Sequence, residues 1–245
     1  MPRRGLRGKI NPIRPRAKKV GGDTKLSARI DCGGTPPPLD KRGILSFNIR
    51  QEIVWEKPIN GKDDFFMIYL FLAEGFEEIE ALTPVDVLRR GKTELVTVGV
   101  GTKFVKGSHG INVEADITTD DITSFDGVDA VILPGGMPGT LNLEKNKTVI
   151  DAVKYCFDNN KIIAAICAAP SILGHLGMLK GKKATAFPSF QSELEGATLG
   201  DFVEQDGNII TARGMGVALE FGLKLLEVMK GTDASKRVKD SLQCR

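Results

Sequence analysis

The sequence predicts an α/β protein, with helices on both faces of a mainly parallel sheet. Two observations lead there. Short, continuous apolar runs recur at Met67–Ala73, Val128–Leu133 and Lys161–Ile166, as strands buried on both faces require. Between them lie segments whose apolar residues repeat at helical spacing, and strand–helix alternation gives a parallel sheet.

The elements follow in order. Met67–Ala73 (MIYLFLA) reads as the first strand. Glu77–Arg90 reads as a helix, with Ile79, Leu82, Val85 and Leu88 as its apolar stripe and Gly91 as its stop. Glu94–Val100 is the next strand, and Lys106–Gly110 a turn between short strands. Val128–Leu133 runs into Pro134-Gly135-Gly136, and Val149–Asn159 reads as a helix. Lys161–Ile166 is a strand with Cys167 at its end, and Ala168–Leu176 restarts helically. Asp206-Gly207 marks a hairpin within Phe202–Thr211. Gly216–Lys230 is an apolar helix with Val217, Phe221, Leu225 and Val228 on one side. Asp233–Arg245 reads as a charged helix or tail.

Composition narrows the class. Of 245 residues 41% are hydrophobic and 27% charged, which excludes full disorder and collagen-like repeats. No apolar run is long enough for a membrane-spanning helix. Four cysteines without short regular spacing give neither a disulfide framework nor a zinc site, and two separated histidines give no His-rich metal site. No metal is expected.

The charge is uneven. Residues 1–66 hold 15 Lys/Arg against 7 Asp/Glu, and residues 67–245 hold 19 against 24. Seven of the 12 prolines precede Met67. Residues 1–66 are expected to be a largely disordered extension. A targeting leader and a nucleic-acid-binding arm compete with an extension without a role. Only two serines (Ser27, Ser46) and no aromatics within the basic run weigh against the first two, so nucleic acid is not an expected partner. The α/β domain is placed at 67–232, with 233–245 as a charged C-terminal helix or tail.

Sheets of this kind hold their sites beyond the carboxyl ends of the strands, where Glu74–Glu80, Pro134-Gly135-Gly136 and Cys167 all fall. Cys167 stands at a strand-to-helix turn among Ala164, Ala165, Ala168 and Ala169, with Pro170 suited to the first helical turn. A helix N-terminus beneath the sulfur is expected to bring the thiol pKa to roughly 3.5–7.5. Cys156 reads as core, and Cys32 and Cys244 as exposed. His175, two turns up the same helix, points away, so a Cys–His pair is not expected. Glu77 and Glu78 read as first-turn acids that suit the helix dipole. Glu80 instead joins an apolar strip with Phe76, Thr83, Pro84 and Val87, where desolvation raises a carboxyl pKa. A protonated Glu80 would donate a hydrogen bond to Cys167, and Pro84 would kink the helix near it. Gly135 and Gly136 are candidate oxyanion donors. Arg89, Arg90, Ser108 and His109 are candidate contacts for an anionic ligand group. No phosphate-cradling glycine loop occurs, so no nucleotide cofactor is expected.

These residues resemble the ThiJ/PfpI superfamily, most closely its DJ-one branch, from about Met67 to about Gly231. The carrying motifs are EGFEEIEALTPVDVLRR (74–90), GSHGI (107–111), ILPGGMPG (132–139), IIAAICAAP (162–170) and NIITARGMG (208–216). The resemblance implies a flavodoxin-like three-layer sandwich, commonly a homodimer. It implies Cys167 as the reactive cysteine, Glu80 as its hydrogen-bonding partner, and Gly136 and Ala168 as backbone donors. The chain departs from animal members at Phe187, where histidine is frequent, and at His109, where they have arginine. Cys-Ala-Ala-Pro separates it from the PfpI-type branch, so protease activity is not expected. The implied function is a cytoplasmic, cofactor-independent activity of glyoxalase or deglycase type on a small aldehyde, dicarbonyl or glycated substrate. The alternative is a redox sensor or chaperone whose Cys167 is oxidised without turnover.

Overall fold

The computed structural model describes residues 66–244. The expectation for residues 1–66 therefore falls, but for Phe66, outside the described residues. Five apolar segments build the centre of the sheet: β1 (Met67–Leu72), β2 (Glu94–Gly99), β6 (Val128–Leu133), β7 (Ile162–Ile166) and β11 (Ile209–Ala212). Two short edge strands, β5 (Ile117–Thr118) and β10 (Val203–Asp206), complete the order β10-β11-β7-β6-β1-β2-β5. All neighbours pair in parallel except β10 and β11, the hairpin that Asp206-Gly207 turns. Two further pairs, β3 (Phe104–Lys106) with β4 (Asn112–Glu114) and β8 (Lys183–Ala184) with β9 (Thr198–Leu199), lie outside this sheet.

Because side chains alternate along a strand, each central strand feeds two cores. Ile68, Leu70 and Leu72 of β1 and Ala164 and Ile166 of β7 face α1 (Glu78–Arg90), α5 (Ala218–Lys230) and α6 (Thr232–Ser241). Phe71 of β1 and Ile163 and Ala165 of β7 face the layer of α3 (Lys147–Asp158) and α4 (Pro170–His175). A short helix, α2 (Gly139–Lys145), places Leu143 in that second core. The described residues thus form a three-layer sandwich. No helix among the described residues is long and apolar enough to cross a membrane.

Some expectations need correction. The outer half of the α1 stripe is not core: Ile79 is 47% exposed, and the buried positions are Glu78, Glu80, Ala81, Pro84, Val85, Val87 and Leu88. The buried face is turned towards Glu80 by the close approach of α5, where a Cβ on Gly222 would stand 3.2 Å from Pro84 Cα. The helix continues unbroken through Pro84. Among residues 233–244, α6 buries Ala234 and Val238, and Ser235 Oγ donates to the Leu223 carbonyl of α5. Cys244 is half-buried rather than exposed.

The helix layer over α1 rests on Phe221, which is fully buried in the same core as Ile68, Ala164 and Ile210. Phe221→Ala is expected to cost about 3–5 kcal/mol in urea denaturation with an unchanged m-value. A loss below about 1 kcal/mol would contradict this packing.

Candidate active site

Three strand ends build the site. After β7 the chain turns at Cys167 with φ +65°, a left-handed conformation that a residue with a Cβ holds only under constraint. Two backbone bonds impose it: Cys167 N–H donates to the Ala212 carbonyl and Phe187 N–H donates to the Cys167 carbonyl, both at 2.8 Å. Such a turn lifts the side chain above the sheet, and Cys167 is partly exposed whereas Cys156 is buried.

After β1, Glu77 caps α1 by accepting from Glu80 N–H at 2.7 Å. Glu80, 1% exposed, points inward to the thiol of Cys167, with which it hydrogen-bonds. Its carboxyl also accepts from Gly135 N–H at 3.1 Å and from Met215 N–H. After β6, Gly135 leaves the space in which the two meet. A Cβ there would lie 2.6 Å from both Cys167 Cβ and Glu80 Oε2. Backbone N–H groups of Ala168 and Gly136 point at the Cys167 sulfur.

The electrostatics follow from burial and from the pair itself. Desolvation pushes the Glu80 carboxyl up to about 7; the thiol bond opposes this, the Glu77 charge adds to it, and the Gly135 and Met215 N–H groups oppose it. Desolvation pushes the Cys167 thiol up to about 12, with the Glu80 charge and hydrogen bond adding and the Ala168 and Gly136 N–H groups opposing. Two acids in one dry contact do not both ionise near neutrality, so the pair carries at most one negative charge there. The expected depression of the thiol pKa is therefore not found. Helix α4 has only six residues, and burial and Glu80 outweigh it.

The other candidates divide. The N–H groups of Gly136 and Ala168 lower the pKa of the Cys167 thiol. Gly135 does not serve as a free oxyanion donor, because its N–H is taken by Glu80. Arg90 is not at the site. It pairs with Asp86 at 2.7 Å at the far end of α1, and Arg89 pairs with Asp116. His175 lies away, held by Glu144 and Glu193.

Ser108 and His109 do gather around an anion, but it is the protein's own. Glu78, 3% exposed, accepts from His109 N–H at 2.8 Å, Ile111 N–H at 3.4 Å and Ser108 Oγ at 3.3 Å, and faces His109 Nδ1 at 3.0 Å. Burial raises this carboxyl, but the bonds from His109, from Glu78's own N–H and from Ile111 outweigh it and hold the group at about 2. Glu78 thus clamps the β3–β4 turn to α1, a role that helical position alone did not reveal. Met215 was missed as a neighbour of the pair, although it lies in a motif noted in the sequence, whereas Phe187 stands beside Cys167, where the family resemblance implied a position near the cysteine. Glu77, Glu78 and His109 bring ligand atoms within 4.8 Å of one another. Glu77 is engaged as a cap and Glu78 by its donors, so these side chains are already committed within the protein.

The two glutamates have opposite linkage. Glu78, depressed from 4.5 to about 2, contributes stability above pH about 4.5 that is lost as pH falls towards 2. Glu80, raised from 4.5 to about 7, makes stability fall as pH rises between those values and adds no further change above. Glu80→Gln is therefore expected to gain stability relative to wild type from pH 4.5 to 7, by on the order of 2–3 kcal/mol, then to run parallel. Urea midpoints across pH 4–9 measure it, and a pH-independent difference would contradict the raised carboxyl.

Comparison with known proteins places this geometry. The DJ-1/PfpI family profile matches residues 67–228. The chain is 39% identical over 181 residues to protein DJ-1 homolog A of Arabidopsis thaliana, covering 71% of this chain and 45% of that protein. It is 36% identical to dj-1beta of Drosophila melanogaster, covering 71% of this chain and 94% of that one. The match thus spans less than half of the Arabidopsis protein. The crystal structure of Drosophila DJ-1beta superposes with a TM-score of 0.70 at 33% identity, covering 74% of this chain and 99% of that one. The structure of oxidized Toxoplasma gondii DJ-1 does so with 0.69 at 33% identity, covering 72% and 97%. With the matching profile spanning most of the described residues, this chain belongs to the DJ-1/PfpI family.

Proposed function

We propose that this chain is a cofactor-independent enzyme that converts small reactive dicarbonyls through Cys167, as a glyoxalase or deglycase does. The observation that carries the reading is the contact of a partly exposed thiol with a buried carboxyl of raised pKa, with two N–H groups aimed at the sulfur.

The chemistry balances without an external oxidant. With methylglyoxal, the Cys167 thiol proton passes to the Glu80 carboxylate as sulfur bonds to the aldehyde carbon. This transfer leaves the pair's charge unchanged, so burial does not oppose it as it opposes a second charge. Glu80 returns the proton to the new alkoxide, giving a hemithioacetal. Glu80 then takes the proton from that carbon and delivers it to the neighbouring carbonyl carbon, while the hydroxyl proton moves to the ketone oxygen. One carbon is oxidised to a thioester and its neighbour reduced to an alcohol. Water cleaves the thioester, releasing lactate and restoring the thiol.

The proposal takes the assembly as a homodimer and the location as the cytoplasm, both on family membership. A second reading, a redox sensor, is favoured by the relative solved in an oxidized state. In it, two peroxide molecules take the thiol to sulfinate, and protonated Glu80 donates to the product.

Purified protein should consume methylglyoxal and form lactate. Cys167→Ala should abolish this, and Glu80→Gln should lower it about 10²–10⁴-fold. The wild-type rate should rise with pH through about 7, as Glu80 becomes the base. Full activity in Cys167→Ala would overturn the proposal. No turnover, with sulfinate forming at Cys167 under peroxide, would select the second reading.

A further inference from the structure

His175 ends α4 at a point where three segments that carry the surroundings of Cys167 meet. Helix α4 holds Ala168, because Ser171 N–H and Ser171 Oγ both donate to the Ala168 carbonyl, at 3.0 and 2.8 Å. Helix α2 holds Gly136, whose carbonyl accepts from Thr140 N–H at 2.9 Å and from Thr140 Oγ1 at 3.0 Å. The N–H groups of Ala168 and Gly136 are those that act on the sulfur. The 3-10 helix Pro188–Glu193 holds Phe187. The Phe187 carbonyl accepts from Phe190 N–H, and Phe187 N–H donates to the Cys167 carbonyl, both at 2.8 Å.

The far ends of these segments converge on one imidazole. His175 Nδ1 lies 2.6 Å from Glu144 Oε1 of α2, and Nε2 lies 3.3 Å from Glu193 Oε2 at the end of the 3-10 helix. Beside it, Gly174 lets α4 approach that helix closely, since a Cβ there would collide with the Glu193 carbonyl oxygen. A neutral imidazole has one N–H and donates to only one of two carboxylates, setting a lone pair against the other. Both contacts are attractive only when each ring nitrogen carries a proton. The charged groups facing His175 are Glu144, Glu193 and Glu195. The bond with Glu144 raises its pKa above the ordinary 6.5, burial opposes this, and the charges of all three glutamates add to it.

We infer that protonated His175 is a positioning residue, a clamp that ties α2 and the 3-10 helix Pro188–Glu193 to α4 and so keeps the Ala168 and Gly136 N–H groups aimed at Cys167. The clamp depends on pH. His175 holds its proton more tightly in the folded chain than in the unfolded one. Its contribution is therefore complete below pH about 6.5 and is lost as pH rises through the higher folded-state value. This is independent of whether Cys167 turns over a dicarbonyl or senses peroxide.

The full chain tests this in the wild type and in His175→Gln, which is neutral at every pH. Nitrogen-15 NMR of the histidine rings should show one ring, absent from His175→Gln, with both nitrogens protonated at pH 6 and a midpoint above 6.5. Amide hydrogen exchange within α2 and residues 188–194, corrected for the intrinsic effect of pH, should be about 2- to 10-fold less protected in His175→Gln at pH 6. Wild-type protection should fall to the variant's level as His175 loses its proton. Alkylation of Cys167 by iodoacetamide should be slower in His175→Gln than in wild type at pH 6, because displaced N–H groups no longer favour the thiolate. The two rates should converge once the wild-type imidazole is neutral, a change with pH that a merely structural role would not produce. If His175→Gln does not fold, the Glu144→Gln/Glu193→Gln double variant gives the same comparison. A His175 ring with a single N–H at pH 6, or protection or alkylation ratios that do not change with pH, would overturn the inference.

Discussion

The contact between the Glu80 carboxyl and the Cys167 thiol governs this site. Both groups are acids and both are largely withdrawn from water; Glu80 makes ionisation of the thiol harder, whereas the thiol makes ionisation of Glu80 easier. The fold brings them together from the ends of β1 and β7, with β6 between, at the carboxyl edge where strand order reverses. Their proximity places a shared proton beside a partly exposed sulfur.

Several local features exist only because that contact does. Gly135 is glycine because a side chain there would occupy the space of both partners. Its N–H and that of Met215 give Glu80 enough solvation to ionise near neutrality rather than far above it. Cys167 holds a positive φ because β11 and the loop at Phe187 fix its backbone on both sides. Glu78 provides the contrast. It is two residues from Glu80 but lies at shallower depth, and its oxygens meet donors from the β3–β4 turn, so it stays charged and acts as a clamp. Shallower burial and a richer supply of hydrogen-bond donors together separate the two roles.

What the sequence disclosed follows the same division between local and distant causes. The buried strands were legible because Met67–Leu72, Val128–Leu133 and Ile162–Ile166 are apolar on both faces. Cys167 at its turn and Glu80 on its apolar strip were legible from neighbours within one helical turn. Glu78 was not, since a first-turn acid has a sufficient local explanation and its donors lie about thirty residues on. The direction of Arg90 was set by Asp86 one turn away, which spacing alone already offered. The raised thiol pKa escaped because the helix beyond Cys167 proved short and the opposing charge came from another strand end. Helix α2, seven residues behind Pro138, is too brief to show a period.

The central claim is that burial makes Glu80 keep its proton to near neutrality, against the opposing hydrogen bond of the Cys167 thiol. Carbon-13 NMR of protein labelled at the glutamate side-chain carboxyls measures this directly. One resonance, absent from Glu80→Gln, should titrate near pH 7, and removing the thiol in Cys167→Ala should move its midpoint. If every glutamate titrates below pH about 5, or if the Glu80 resonance ignores the loss of the thiol, the account of the pair is wrong.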